Sequence, residues 1–526
     1  MRMLRMTAGV VVFGLAGTAS LSGAVAGAAS TPINVSQRWV DNLDRYSLPS
    51  TIAQSSPVIA HLAGTPEAPK ADVVVGDRGG NLFALDLATG DAVGGSPVLR
   101  HVGLPIDSAP SSIRNGADPF DTVYVGLGSR AVACSSAGGY LAVNHDGTTR
   151  WRAIANNPDT DTACLHNTVM AGLTIANLLS GVAVAIAPSL GQGQMAFKAK
   201  NGKPVVGWNF WYQADSSVST PAVAKLDGAS GPLSVIEGGD STAGLSYGVT
   251  YRNGGHIRII ANTGNGGTLG PGGTRCSYDT YANGGQIVES SPAVGHILSN
   301  GGIGIASGMG YYPDPAYRGS SNTIFVINKR CQLVWSKELD HETGSPIIAD
   351  VTGTGSLAVI VATQGVSRNG DTEQGTLYAF DAATGKKLWK VATGAVIGSP
   401  VAADLTGKGY ADVVVASASA WGANGGLQII DGTTGEKVWR EELGIVGQNS
   451  PLITADPNGH IGITIAGYKG ETYGTGACRM SFCLASTVAH FEVTGSSATW
   501  LDNPATSWLQ FHHDAQLSGN VDGPTG

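Results

Sequence analysis

One short pattern returns along the whole chain: a Ser-Pro step, an apolar run and then a β-branched run. It stands as SSPVIAHL (55–62), STPAVAKL (219–226), SSPAVGHI (290–297), GSPIIADV (344–351), GSPVAADL (398–405) and NSPLITAD (449–456). Runs such as DVVVG (72–76), LAVIVAT (357–363) and DVVVAS (412–417) follow. An alternating segment such as TLYAFD comes next, and then a turn and a Trp, as in ATGKKLW (383–389) and TTGEKVW (433–439). The anchor prolines give the period: 53 from Pro57 to Pro110, 54 from Pro292 to Pro346, 54 from Pro346 to Pro400 and 51 from Pro400 to Pro451. The 111 residues from Pro110 to Pro221 hold two units, the second degenerate and opening near HNTVMAGLTIA (166–176). The 71 from Pro221 to Pro292 hold one unit with an insertion, which makes eight units of four short strands.

A four-stranded unit at this period is the mark of a propeller blade. One blade cannot bury both of its faces, whereas a closed ring of blades can. The predicted fold is therefore all-β, a single β-propeller of four-stranded blades, eight in number with seven as the alternative count. Gly at 76 of 526 residues and charged residues at 13% suit a chain of many tight turns. Trp39 in QRWVDNL reads as a fourth strand that precedes the first unit and closes the ring by pairing into the last. Trp500 in SATWLD competes for that place.

Within GTLYAFDAATGKKLW (375–389), LYAFD alternates as a half-buried strand does. Asp381 can accept backbone N–H groups in the turn, Gly385 can supply positive φ, and Trp389 can bury its ring between blades. The pattern A-x-D-x-x-T-G-x-x-x-W at 379–389 resembles the tryptophan-docking motif of pyrroloquinoline quinone (PQQ) propellers. It recurs in part at ALDLATG (84–90) and in outline at IDGTTGEKVW (430–439). The S-P-x-x-A-D-L-x-G-x-G half resembles FG-GAP and VCBS-type repeats of secreted proteins. SWLQFHHDAQLSGN (507–520) resembles the C-terminal strap of exported propellers. The resemblance covers most of the chain and speaks for fold more than activity, because the shared motifs build blades.

The N-terminus carries Arg2 and Arg5, an apolar run centred on 10–15, and small-residue cleavage patterns at 24–28. Residues 1–29 read as a secretory signal peptide, 30–505 as the propeller and 506–526 as a strap and tail. No later segment is long and apolar enough to span a membrane. The expected product is secreted, extracellular or cell-surface, and monomeric. Its six cysteines, Cys134, Cys164, Cys276, Cys331, Cys478 and Cys483, suit disulfides, and sequence order suggests 134–164, 276–331 and 478–483 among fifteen possible pairings. A net charge of −8 without a basic run argues against nucleic acid as a partner.

Each candidate for chemistry meets a plainer reading. Quinoprotein dehydrogenases of this fold carry adjacent cysteines and a calcium-binding acid set, and this sequence has no adjacent Cys pair. Asp404–Asp412 has the outline of an FG-GAP calcium loop, but Thr406 and Lys408 stand where further oxygen ligands belong. Gly244–Gly248 matches G-x-S-x-G, yet that elbow needs a strand running into a helix, so it is set aside. His512-His513-Asp514 could ligate a metal or act as a base, but it falls within the strap. No cofactor is expected, with calcium or PQQ as the alternatives.

Loop length is the remaining clue. The turns between first and second and between third and fourth strands are short and repetitive. The loops on the opposite face are long and varied, and repeat proteins carry binding residues on such insertions. These loops hold Tyr311, Tyr312, Tyr317, Arg318, Arg368, Asp371, Glu373, Trp421, Tyr468, Lys469 and Tyr473, a mixture that suits a protein or glycan surface. The reading is an exported non-catalytic propeller that binds a protein or glycan through its long-loop face. The alternatives are a PQQ- or other cofactor-dependent oxidoreductase, a polysaccharide-active enzyme, or a structural cell-surface or matrix protein.

Overall fold

A computed structural model describes residues 33–43, 51–128, 138–155, 167–283, 286–310, 322–364, 375–417, 426–442, 444–469 and 486–523. The segment 1–29 read as a signal peptide and the cysteines at 134, 164, 478 and 483 lie outside them. The chain forms eight four-stranded blades arranged as a β-propeller, the higher of the two counts expected. Blade six is representative. Its strands Ile347–Ala349, Ala358–Ala362, Thr376–Asp381 and Lys387–Ala392 pair antiparallel in sequence order, from the axis outward. Apolar side chains of its middle strands, such as Val359, Val361, Leu377 and Ala379, pack with Val413 and Val415 of blade seven. The degenerate third unit also forms a blade, opening with Thr174–Leu179. No helix among the described residues is long and apolar enough to cross a membrane.

Ring closure settles the competition between the two tryptophans. Strand Val35–Asn42 pairs with Ser486–Val493 and so supplies the outermost strand of blade eight. Trp500 instead sits in a 3-10 turn, Ala498–Asp502. Pairing across some 450 residues makes the first strand complete the last blade, which leaves no blade short of a strand.

The repeated residues are joints between blades. Trp335 of blade five lies on the turn of blade six and donates its indole N–H to Ala382 O at 2.7 Å. Gly385 sits beneath the ring: its φ is +68°, and a Cβ there would lie 2.7 Å from Trp335 Cδ2. Turn conformation and close approach thus both demand glycine. The same joint recurs with Trp389 on Gly432 O, Trp39 on Leu87 O, Trp151 on Ala199 O and Trp208 on Asn262 O, at 2.6, 3.0, 2.7 and 2.9 Å. Between blades four and five a disulfide takes its place. Cys276 occupies the third position of its outer strand, as Trp335 and Trp389 do in theirs. Cys331 stands four residues before Trp335, as Gly385 stands four before Trp389, and keeps the positive φ of 58°. The Cys276–Cys331 bond, expected from sequence order, is therefore a covalent version of the Trp–Gly joint.

The Ser-Pro step is a second kind of joint. Gly172 N–H donates to Thr220 Oγ1, Thr220 N–H to Ser291 Oγ, Ser291 N–H to Ser345 Oγ, Ser399 N–H to Ser450 Oγ and Ser450 N–H to Ser56 Oγ, at 2.8–3.1 Å. At five of the anchor prolines the hydroxyl of the preceding residue thus accepts one hydrogen bond from the previous blade.

The C-terminal strap circles the axis. Backbone carbonyls of Ala505, Trp508, Leu509, Ala515, Gln516, Ser518 and Gly519 accept from Asp350, Ala402, Ile453, Ser112, Ile175, Val223 and Val294 N–H, in blades six, seven, eight, two, three, four and five. Gln510 Oε1 accepts from Ile59 N–H of blade one at 3.5 Å. Inner strands present unpaired backbone groups to the channel, and the strap satisfies one in every blade. Buried His512 lies between Leu517 O and Pro292 O, at 2.7 and 3.1 Å from its two ring nitrogens.

Candidate functional site: an axial funnel

The eight segments that enter the inner strands meet around the axis on the long-loop face. They enclose a funnel of about 150 Å³ with Phe511 of the strap among its lining. Its wall includes Gln54, Ser56, Asp107, Met170, Thr220, Glu289, Ser291, Ser345, Gln364 and Gln448, so every blade reaches it through these or their neighbours. Most polar groups in this wall are neutral hydroxyls and amides. Of its two carboxylates, Asp107 is held by Arg78 in a forked pair at 2.8–3.2 Å. Ser56, Thr220, Ser291 and Ser345 of this wall were visible in sequence within the repeated Ser-Pro steps; that they converge follows only from ring closure.

Of the expected ligand-face residues, Tyr311, Tyr312, Tyr317, Arg318, Arg368, Asp371, Glu373, Trp421 and Tyr473 lie outside the described residues. Tyr468 belongs to strand Ile461–Lys469, where it is buried and its hydroxyl accepts from Gln448 Nε2 at 3.0 Å. It therefore stands behind the funnel wall and holds one of its amides. Lys469 ends the same strand.

Among the described residues, those of the funnel do not fit calcium or a calcium-held quinone. Two carboxylates reach the funnel and one is neutralised by a guanidinium, whereas calcium takes six or more oxygens, several of them charged. In the FG-GAP-like loop, Asp404 accepts backbone N–H groups from Thr406, Lys408 and Gly409 at 3.2, 3.1 and 2.7 Å. Burial pushes the Asp412 carboxyl up to about 7, with Lys408 opposing the shift. Lys408 Nζ lies 3.4 Å from Asp431. Burial alone would raise Asp431, but hydrogen bonds from Thr433, Thr434 and Tyr410 together hold it at about 2. The loop is a turn closed on its own backbone.

Residues 320–461 match the family model described as outer membrane protein assembly factor BamB. Over 140 residues the chain is 29% identical to quinoprotein alcohol dehydrogenase PedH of Pseudomonas putida, a match covering 26% of this chain and 23% of that protein. The matched region thus spans less than a quarter of that relative. Among solved structures, BamB from Moraxella catarrhalis aligns with a TM-score of 0.46 at 13% identity, covering 88% of this chain and 98% of that one. Quinohemoprotein alcohol dehydrogenase from Comamonas testosteroni aligns at 0.40 and 14%, covering 88% and 77%. The family-model match spans the blades joined by Trp335 and Trp389, and this chain is a β-propeller protein whose matched part resembles PQQ-like repeats.

Proposed function

We propose that this chain is an exported binding propeller whose long-loop face takes a protein or glycan partner over the axial funnel. The observation that carries the reading is the funnel wall, whose polar side chains, from blades one, four, five, six and eight, are mainly neutral hydroxyls and amides. Such groups suit hydrogen bonding to sugar hydroxyls or a peptide backbone, on a scaffold stiffened by its joints and strap. The family model matched over 320–461 bears the name of an assembly factor for other proteins, which favours a protein as the first partner to test. A screen on protein and glycan arrays tests this. Changing Gln54 and Gln364 to Ala together should weaken the best interaction at least tenfold, as should changing Tyr312, Arg318 and Trp421. Unchanged binding in both sets would remove the site assignment.

A second reading, a PQQ-dependent oxidoreductase, is favoured by the match to a quinoprotein alcohol dehydrogenase. Dye reduction with alcohols after adding PQQ and calcium tests it. Turnover above the protein-free control would replace the binding reading.

A further inference from the structure

Blade four holds a cluster that the funnel does not use. Its second and third strands, Ser234–Ser241 and Gly254–Ala261, pair so that Glu237 faces Arg258 and Gly239 faces His256. Alternation along a strand puts Glu237, Gly239 and Ser241 on one sheet face, with His256 and Arg258 beside them. Gly239 leaves room for the imidazole: a Cβ there would lie 3.0 Å from His256 Nε2. The ring crosses the glycine and touches both neighbours. His256 Nε2 is 2.8 Å from Glu237 Oε1, and His256 Nδ1 is 2.8 Å from Ser241 Oγ. The carboxylate and the imidazole are fully buried, and Glu237 Oε2 has no hydrogen-bond partner.

Ser241 opens into a separate cavity of about 460 Å³ walled by Tyr251, Arg252, Arg258, Asp279 and Tyr281. Arg252 lies over the Tyr281 ring at 4.8 Å, and Arg258 over Tyr251 at 5.3 Å. Arg258 also pairs with Glu237 at 3.9 Å, so the two guanidiniums of the wall are balanced by Glu237 and Asp279. His256 is held below its ordinary pKa by burial first and by the Arg258 guanidinium second, with Glu237 and Asp279 opposing. A neutral imidazole donates Nε2–H to Glu237 and offers the Nδ1 lone pair to the Ser241 hydroxyl, the division of labour in a nucleophile–base–carboxylate triad.

We propose that Ser241, His256 and Glu237 form a hydrolytic site for small carboxylic esters, with Ser241 as nucleophile, His256 as general base and Glu237 as positioning residue. Ser241 Oγ bonds to the ester carbonyl carbon while its proton passes to His256 Nδ1, and the carbonyl electron pair moves onto oxygen beside the guanidiniums. Collapse breaks the bond to the alcohol oxygen, which leaves with the proton from Nδ1. Water then repeats the sequence on the acyl-serine, releasing the acid and restoring the hydroxyl. This site lies in one blade, away from the funnel, and goes beyond the partner-binding reading, so either can fail without the other.

The test is labelling of the full chain with a fluorophosphonate probe, mapped by peptide mass, together with hydrolysis of 4-nitrophenyl succinate. Label should fall on Ser241, and Ser241→Ala should remove both label and turnover. Ser246→Ala, at the nearby G-x-S-x-G match, should leave both unchanged. Glu237→Gln should lower kcat at least tenfold with KM unchanged and an unaltered circular dichroism spectrum, which a merely structural carboxylate would not do. If that variant fails to fold, Ser241→Ala decides. Absence of label on the native chain, label on another serine, or turnover retained in Ser241→Ala would overturn the proposal.

Discussion

Blades four and eight carry the same buried pair, a histidine on the third strand leaning over a glycine of the second and bonded to a hydroxyl. In blade eight His490 lies over Gly462, and its Nδ1 is 2.8 Å from Thr464 Oγ1. Two things differ. The other imidazole nitrogen meets a carboxylate in blade four but has no partner in blade eight, where Glu492 is taken by Arg38. The hydroxyl opens to a cavity in blade four, whereas Thr464 is fully buried and His490 is stacked under Trp39 of the closing strand, ring centroids 5.5 Å apart. A hydroxyl–imidazole pair is thus a packing solution that this fold reaches twice. A carboxylate and an opening are what convert it into a possible site.

That comparison can be broken at several points. Glu237→Ala should have the largest effect, because it strands buried His256 and Arg258; a loss of about 3–5 kcal/mol is expected in urea unfolding. Replacement of His490 should change the pH dependence. Burial holds His490 at about 4, against Asp456, which raises it, and with Arg38, which lowers it further. Its native pKa is below the unfolded value of about 6.5, so the native state loses stability as pH falls from 6.5 toward 4, by about 3 kcal/mol at pH 4. His490→Gln should lack that part of the slope in unfolding curves between pH 7 and 4. Trp39→Ala should cost about 2–3 kcal/mol, from a half-buried ring and one hydrogen bond, and should expose His490 to diethylpyrocarbonate.

The smaller effects sharpen the contrast. Gly462→Ala places a Cβ 2.4 Å from His490 Cε1, and Gly239→Ala places one 3.0 Å from His256 Nε2. Both should destabilise by about 1–3 kcal/mol, with the blade-eight variant at the upper end, read from thermal unfolding. Thr464→Ser should leave fluorophosphonate labelling unchanged, because blade eight lacks both the carboxylate and the opening. Label on residue 464 would show that the hydroxyl–imidazole pair alone suffices.

The repeat architecture was legible because each conserved position serves a local, repeated contact. The small residue before each proline, usually Ser, the turn glycine and the Trp could be recognised from spacing alone, and the blade count followed from the prolines. The choice between Trp39 and Trp500 was not legible, since it depends on which segment reaches the open edge of Ser486–Val493. The blade-four cluster was hidden for a similar reason. Glu237, Ser241 and His256 meet only through the register of two strands joined by an inserted hairpin, Gly244–Ser246 with Val249–Tyr251. The sequence motif that drew notice, Gly244–Gly248, lies in that hairpin, with no helix to raise its serine as an elbow requires. The His512-His513-Asp514 run also changed meaning, because the two nitrogens of His512 face backbone carbonyls, Leu517 O of the strap and Pro292 O of blade five.

The covalent joint between blades four and five gives this ring an addressable seam. Packed tryptophans respond to heat and denaturant, which act on all such joints together. The Cys276–Cys331 bond responds to electrons, and it is the one disulfide among the described residues. A reductant would leave the other joints and the strap in place while freeing the outer edge of blade four, the blade whose inner strands hold Ser241 and His256. Redox poise and temperature therefore act differently on this seam, the first through one bond between two blades and the second through all the packed joints together.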